Sequence, residues 1–163
     1  MNLKLAVYIV LVTFAVVLAA GCLDNSAQAT ITADPVAATW IEPQVIENTA
    51  AIPVQTIYEN MNSHFKVETT AGEIAVMAYR LGDDIVIRSN VCPPCGSIGF
   101  SLAKDILVCD SCRTTFDAAT GQGIQGACVD YPKENIPYTV SDGNVIIEIN
   151  DIVVAHMNTI QRG

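Results

Sequence analysis

The chain has 163 residues, enough for one modest domain with a leader, and 51% of them are hydrophobic. Charged residues make up only 15%, and acids outnumber bases so that the net charge is −9 at pH 7. Such an acidic surface repels phosphate backbones, which argues against nucleic-acid binding.

Residues 1–22 are predicted to direct export. Lys4 precedes an apolar run from Leu5 to Ala20, and small residues lead up to Cys22, which is the pattern of a secretory signal with its cleavage site. The small residues before Cys22 resemble the lipobox of prokaryotic lipoproteins, which implies cleavage there and lipidation of the Cys22 sulfur. The alternative is an uncleaved N-terminal anchor helix. Both predict a domain held at the extracytoplasmic face of the cell membrane.

Residues 23–50 are rich in Ala, Thr, Asn and Pro and show no sustained period. Pro35 and Pro43 would break any helix that began there. We therefore expect a flexible tether, in which Trp40 packs locally.

Residues 51–157 are predicted to form a mainly all-β domain of about seven to nine short strands, with a polar tail at 158–163. An extended segment is expected from Pro53, and no long helix is expected. The clearest strands are predicted at His64–Thr69, Ile74–Tyr79, Asp84–Arg88, Ile136–Val140 and Val145–Ile149. An Asp-Gly dipeptide between the last two is a strong hairpin signal, and a short apolar piece follows at Ile152–Ala155.

Five of the six cysteines lie close together in the sequence. Cys92 and Cys95 form one CxxC pair, Cys109 and Cys112 form a second, and Cys128 follows. A CxxC turn aims two thiolates at one metal, and a second turn brought alongside completes a tetrahedral set. Four thiolates select zinc, a single iron or an iron–sulfur cluster. The spacing therefore predicts a metal site without naming the metal.

Cys128 is interpreted as an accessory to this site. It could be a fifth ligand, a ligand in one state of the metal, or a buried free thiol under the site. Glycines 121, 123 and 126 precede it and suggest a loop that wraps closely around something bulky. Arg113 follows the second CxxC pair where a glycine would be more usual, and its charge could balance thiolates.

Other chemistries fit the sequence less well. An exported domain permits disulfides, so a thiol–disulfide protein is one alternative, but no βαβ pattern surrounds either CxxC pair. His64 is a candidate ligand by residue type alone. Ser97 and Ser101 lack an identifiable base, so a hydrolase is not supported.

The segment from Ile52 to Ala155 resembles the FtrD-like membrane iron–sulfur domain family, which is associated with iron-uptake systems. Such domains have an early His-Phe element, a Gly-Tyr-like step after the first CxxC, and a Gly-Gly-Cys-Asn-Pro-like element that closes the site. The matching residues are His64-Phe65, Gly99-Phe100 and Gly126-Ala127-Cys128. The chain departs from the pattern at Arg113 and at residues 129–132. The resemblance implies iron or an iron–sulfur cluster, and a membrane partner such as an iron permease or redox protein.

Two cysteine loops and their strands also resemble Rieske domains, in the stretches YRLGDDIVIRSNVC, LVCDSCRTTFDAATGQGIQG and YTVSDGNVIIEI. Each loop of a Rieske site supplies one Cys and one His, and here Cys95 and Cys112 stand where the histidines would be. An all-thiolate set would lower the reduction potential of a two-iron cluster.

Together these features predict an exported, membrane-anchored metal protein that serves electron transfer or iron uptake. Its ligands would be Cys92, Cys95, Cys109 and Cys112, and no substrate turnover is required. The rival interpretation is a structural zinc module that binds a membrane partner.

Overall fold

The computed structural model describes residues 34–161, so the predicted export signal and Cys22 lie outside the described residues. This range holds twelve strands and two short helices. They are β1 Thr39–Trp40, β2 Gln44–Ile46, β3 Thr49–Pro53, α1 Val54–Asn60, β4 Asn62–Thr69, β5 Gly72–Leu81, β6 Asp84–Ser89, β7 Phe100–Ala103, β8 Ile106–Cys109, β9 Thr115–Asp117, β10 Gly123–Gln125, β11 Thr139–Ser141, β12 Asn144–Glu148 and α2 Ile149–Ile160. The prediction of a mainly all-β domain is confirmed.

The strands form three four-stranded sheets. The central sheet has the order β1-β4-β5-β6, the outer sheet β11-β12-β3-β2, and the third sheet β10-β9-β8-β7. We call the third the cysteine sheet, because loops at its strand ends carry the clustered cysteines. All neighbouring strands are antiparallel except β1, which pairs in parallel with β4.

The central sheet is buried on both faces. On one face, Phe65 and Val76 pack with Ile147 of the outer sheet and Ile152 of α2. The opposite face carries Met77, which joins a second core formed with the cysteine sheet. Because successive side chains of a strand point to opposite faces, one sheet supports both cores. The cysteine sheet therefore packs on one face of the central sheet, and the other face packs against the outer sheet and α2.

The predicted hairpin around Asp142-Gly143 is confirmed. Val140 pairs with Val145 and Ser141 with Asn144 across a two-residue turn. Asp142 and Gly143 have φ values of 50° and 75°, the left-handed conformation that a type I′ turn requires at both central positions. Asp and Gly tolerate this conformation well, which explains why a local signal sufficed here.

Several boundaries differ from those predicted. The segment expected to be extended from Pro53 is helix α1, and the short apolar piece at Ile152–Ala155 belongs to α2, which runs on into the predicted polar tail. β-branched residues favour strands only weakly, and burial of one helical face against the central sheet outweighs that preference. Neither helix within 34–161 is long and apolar enough to cross a membrane.

The folded part also starts earlier than residue 51. Part of the predicted tether forms β1 and β2, which pair with β4 and β3. Val36 bridges Leu102 of the cysteine sheet, with a backbone hydrogen bond of 2.7 Å from Val36 N–H to Leu102 O. These partners are distant in sequence, so no local pattern reveals them.

Candidate metal centre

The first CxxC turn connects β6 to β7. Its backbone is closed by two hydrogen bonds, from Cys92 N–H to Ser97 O at 2.8 Å and from Gly96 N–H to Cys92 O at 2.8 Å. Gly96 has a φ of 70°, a conformation that glycine adopts without strain. The turn buries Cys92 and leaves Cys95 exposed.

The second CxxC turn connects β8 to β9 and repeats this pattern. Cys109 N–H donates to Thr114 O at 2.9 Å, and Arg113 N–H donates to Cys109 O at 3.0 Å. Arg113 has a φ of 60°, so it occupies the left-handed position that Gly96 occupies in the first turn. Cys109 is buried and Cys112 is half-buried. Both turns therefore aim two sulfurs in the same way.

The two turns place their sulfurs together, and Cys128 joins them. The Sγ atoms of Cys92 and Cys112 are 3.9 Å apart, those of Cys95 and Cys109 are 3.8 Å apart, and those of Cys112 and Cys128 are 3.7 Å apart. The Sγ atoms of Cys92, Cys95, Cys112 and Cys128 all lie within 4.8 Å of one another. None of these five cysteines forms a disulfide. The structure thus brings together the five cysteines that were predicted as ligands. The metal that they would share stays a prediction.

Thr114 connects the second turn to Cys128. Its Oγ1 accepts a hydrogen bond from Cys128 N–H at 3.2 Å and lies 3.2 Å from Cys112 Sγ. The loop before Cys128 passes so close that a Cβ on Gly126 would lie 2.6 Å from Thr114 Oγ1. The glycines of this loop therefore allow the close approach that the sequence suggested, and the approach positions Cys128 against the sulfur cluster.

The spacing of the sulfurs fits a thiolate-bound metal. Four ligands at about 2.3 Å around one tetrahedral ion have sulfur–sulfur distances of about 3.8 Å. Three sulfur–sulfur contacts, at 3.7 to 3.9 Å, match this value, and the Sγ atoms of four cysteines lie within 4.8 Å of one another. Soft thiolates of this number suit zinc, iron or an iron–sulfur cluster. The residues present therefore fit the metal group that the sequence predicts.

The thiols of the cluster have unequal proton affinities. Burial raises the pKa of Cys92, and hydrogen bonds with Cys128 and Cys95 raise it further. Burial also raises the pKa of Cys109. At Cys112, burial is outweighed by hydrogen bonds with Thr114, Cys109 and Cys128, which lower its pKa to about 6. Of these three thiols, the half-buried Cys112 therefore loses its proton most readily.

Two buried cations contact the core that the cysteine sheet shares with the central sheet. The Lys133 side chain is 1% exposed, and its Nζ donates to Val91 O at 2.7 Å. Arg88 is 4% exposed and donates to the carbonyl groups of Ala119 and Lys133. The burial of both was not predicted from the sequence, because lysine and arginine side chains are normally solvated. Nothing in the local sequence marks either one as buried.

His64 is buried but is not part of the mutually close sulfur group. Its Nδ1 lies 3.1 Å from Asn90 Nδ2, and the Trp40 ring meets it edge-on with ring centroids 5.3 Å apart. Burial lowers the pKa of His64 to about 4. The imidazole is therefore neutral at pH 7. It lies in the core beside the amide of Asn90, a residue just before the first CxxC turn in the chain.

The sequence of residues 57–158 matches the family model described as membrane iron-sulfur containing protein FtrD-like, which confirms the predicted resemblance. No curated protein matches the chain. One structurally similar chain comes from a complex of reduced oxygenase and oxidized ferredoxin in carbazole 1,9a-dioxygenase, with 20% identity, 53% of this chain and 80% of that chain covered, and a TM-score of 0.45. Another is a Sphingomonas yanoikuyae B1 ferredoxin, with 23% identity, 51% and 83% covered, and a TM-score of 0.43. Both overlaps are partial, and nothing about the cofactor or partner of this chain follows from them.

Proposed function

The chain belongs to the family of FtrD-like membrane iron–sulfur proteins, and on that premise we propose that it is an exported, membrane-anchored iron–sulfur protein that transfers electrons or assists iron uptake. The observation that carries this proposal is the cluster of five free thiols held on the cysteine sheet. Exposed Cys95 lies on the solvent side of the cluster, where an electron could enter or leave.

The residues that would hold the cofactor are the five clustered cysteines. Cys92, Cys95 and Cys112 belong both to the two CxxC turns and to the group of sulfurs within 4.8 Å of one another. Either Cys109 or Cys128 would complete a set of four. When bound, iron ligated by thiolates supplies one-electron redox chemistry. The chain contributes burial and fixed charges, which tune the potential.

Export and anchoring are proposed from the predicted signal and Cys22, together with the membrane description of the family. The partner is proposed to be a membrane redox protein or an iron permease. A Cys22→Ala variant tests the anchor: we expect the mass of the wild-type chain from membranes to show cleavage before Cys22 and an added lipid, and the variant to keep residues 1–21. A wild-type chain that also keeps residues 1–21 without added mass would contradict a lipid anchor and favour an uncleaved N-terminal helix.

The cofactor is tested by purifying the full chain anaerobically from its own membranes. We expect iron, visible thiolate-to-iron charge-transfer bands, and an EPR signal that changes when dithionite is added. A Cys92→Ser, Cys112→Ser double variant should lack the bands, because it loses two ligands common to both sets. A colourless protein that holds zinc in a fixed ratio to the chain would overturn the electron-transfer proposal.

A second candidate is a single-ion thiolate site, including structural zinc. The observation behind it is that three sulfur–sulfur contacts, at 3.7 to 3.9 Å, equal the spacing of two ligands on one tetrahedral ion. Zinc at such a site is redox-silent and contributes folding energy. Metal and sulfide analysis on the same preparation separates the candidates, because only a cluster contains acid-labile sulfide.

A further inference from the structure

The buried charges of this domain are not balanced by buried acids. Lys133 and Arg88 are both almost completely inaccessible to solvent, yet the buried polar side chains of residues 34–161 include no aspartate or glutamate. The side chains that are buried with these cations are neutral amides, hydroxyls and one histidine. Burying a cation is unfavourable unless an opposite charge compensates it. Neither cation therefore has a fully buried carboxylate to compensate its charge.

Lys133 is the cation placed next to the cysteines. Its Nζ donates to the carbonyl of Val91, the residue directly before Cys92, at 2.7 Å. The ammonium also lies 4.5 Å from the ring centroid of Phe116 and 5.3 Å from that of Phe100. Both rings pack in the same buried core as Cys92, Cys109 and Cys128. The charge thus sits at the underside of the sulfur cluster, in surroundings where water cannot screen it.

The backbone around Lys133 fixes it there. Lys133 N–H donates to Gly121 O at 2.8 Å, and Lys133 O accepts from Arg88 Nη1 at 2.9 Å. A Cβ on Gly121 would lie only 2.2 Å from Lys133 O, so the two segments are in direct contact. Burial lowers the pKa of Lys133, and Cys92, Cys109, Cys128 and Cys95 oppose that effect when they are ionised. The cysteines are therefore the groups near this ammonium that can become its counter-anions.

We propose that Lys133 is the buried counter-charge of the thiolate centre, stabilising its metal-bound form over the free thiols and its reduced form over its oxidised form. This rests on the proposed function only in that the cysteines hold a metal. Free thiols are neutral, whereas four thiolates around one divalent ion leave an excess of about two negative charges. Adding an electron makes such a centre more negative still. A fixed positive charge beneath it favours both changes.

The test compares three substitutions in the full chain. Lys133→Gln removes the charge but keeps an N–H donor for Val91 O, and Lys133→Arg keeps the charge. Lys104→Gln makes the same chemical change on the exposed turn between β7 and β8 of the same sheet. Zinc affinity is measured on the fully reduced protein by competition with a chromophoric chelator. We expect Lys133→Gln to bind zinc about tenfold more weakly or worse, Lys104→Gln within about twofold of wild type, and Lys133→Arg between them.

The redox arm uses the iron-loaded protein. At one poised potential, Lys133→Gln should lower the ratio of reduced to oxidised centre about tenfold, which is 59 mV for a one-electron couple. Lys104→Gln should leave the ratio unchanged. If the protein holds no redox-active iron, the proposed function fails, but zinc affinity still decides the role of Lys133. Wild-type zinc affinity in Lys133→Gln would overturn the counter-charge proposal even where the iron centre is present.

A second neutral variant separates charge from packing. Lys133→Met has an unbranched thioether that suits the rings of Phe100 and Phe116. We expect it to raise the resistance of the metal-free protein to urea while it lowers zinc affinity, because it removes an uncompensated buried charge. A purely structural role for Lys133 predicts that resistance and affinity fall together, and that result would also overturn the proposal.

Discussion

Gly96 and Arg113 occupy equivalent positions in the two CxxC turns. Each donates its N–H to the carbonyl of the first cysteine of its turn, at 2.8 Å and 3.0 Å, and each has a left-handed backbone with φ of 70° and 60°. The same loop geometry is therefore reached with the favoured residue in one turn and with an unfavoured one in the other. The second turn stores conformational strain at its metal-binding end.

Replacing Arg113 by glycine should stabilise the protein. The left-handed conformation costs an L-residue about 1–2 kcal/mol, partly offset by the greater freedom of glycine in the unfolded chain. We expect Arg113→Gly to raise the free energy of unfolding by about 0.5–1 kcal/mol, measured by urea titration. Arg113→Ala removes the charge but keeps the strain, so it should give no such gain. Equal gains in both variants would show that charge, and not backbone strain, limits stability at this turn.

The fourth ligand is decided by comparing Cys109→Ser with Cys128→Ser. Cys128 belongs to the group of four sulfurs within 4.8 Å of one another, whereas Cys109 is outside that group and contacts the Sγ atom of Cys95 at 3.8 Å. We therefore expect Cys128→Ser to lose most of its metal and Cys109→Ser to retain more, measured as metal per chain after gel filtration. Cys95→Ser provides the reference for loss of a shared ligand. The reverse order would leave the four cysteines of the two turns as the ligand set.

Local signals in the sequence predicted the parts of the fold that depend on near neighbours. The Asp142-Gly143 turn and the strands of the central sheet are set by turn chemistry and alternation within a few residues. The pairing of β3 with β12 joins Ala51 to Ile146 across most of the domain, and no local pattern encodes it. Helix α2 was missed because its β-branched residues favour a strand in isolation, whereas burial of Ile152 decides the outcome.

The candidate site divides in the same way. The CxxC spacing and the accessory cysteine are visible in the sequence, since each turn is only a few residues long. Their mutual arrangement depends on how β8 and β9 bring the second turn beside the first, which spacing alone does not determine. The charge beneath the cluster was not predictable, because Lys133 is buried by contacts with Gly121 and Val91, far from it in the chain.

His64 should make the protein less stable in acid. Its pKa is about 4 in the folded protein against 6.5 when unperturbed, because burial disfavours the charged imidazole. As the pH falls, the unfolded chain therefore binds a proton before the folded protein does. The contribution of neutral His64 to stability is fully present above pH 6.5 and is lost progressively as the pH falls to about 4. The shift corresponds to about 3 kcal/mol. Urea unfolding followed by the fluorescence of Trp40, the single tryptophan, measures this loss.

A His64→Gln variant isolates that effect from acid release of the metal. The difference in unfolding free energy between wild type and His64→Gln should change with pH between 6.5 and 4, since Gln does not titrate there. Burial also lowers the pKa of half-buried His156, so His156→Gln is the matched control and should give a smaller change in the same direction. A pH-independent difference for His64→Gln would mean that the pKa of His64 is the same in the folded and the unfolded chain, which would contradict the expected effect of burial.

Gly121 should tolerate a methyl group far less well than Gly143. Both have left-handed backbones, with φ of 78° and 75°, so alanine pays a similar conformational cost at each. At Gly143 nothing lies within 4 Å of the added Cβ, whereas at Gly121 it would lie 2.2 Å from Lys133 O and 2.8 Å from Arg88 Nη1. We expect Gly143→Ala to lower the free energy of unfolding by about 1 kcal/mol and Gly121→Ala by about 2 kcal/mol more.

Because the added methyl displaces the Lys133 backbone, Gly121→Ala should also weaken zinc binding, while Gly143→Ala, on the outer sheet, should leave it unchanged. Equal destabilisation of the two variants, with zinc binding intact in both, would show that the contact between the Gly121 loop and Lys133 does not support the sulfur cluster.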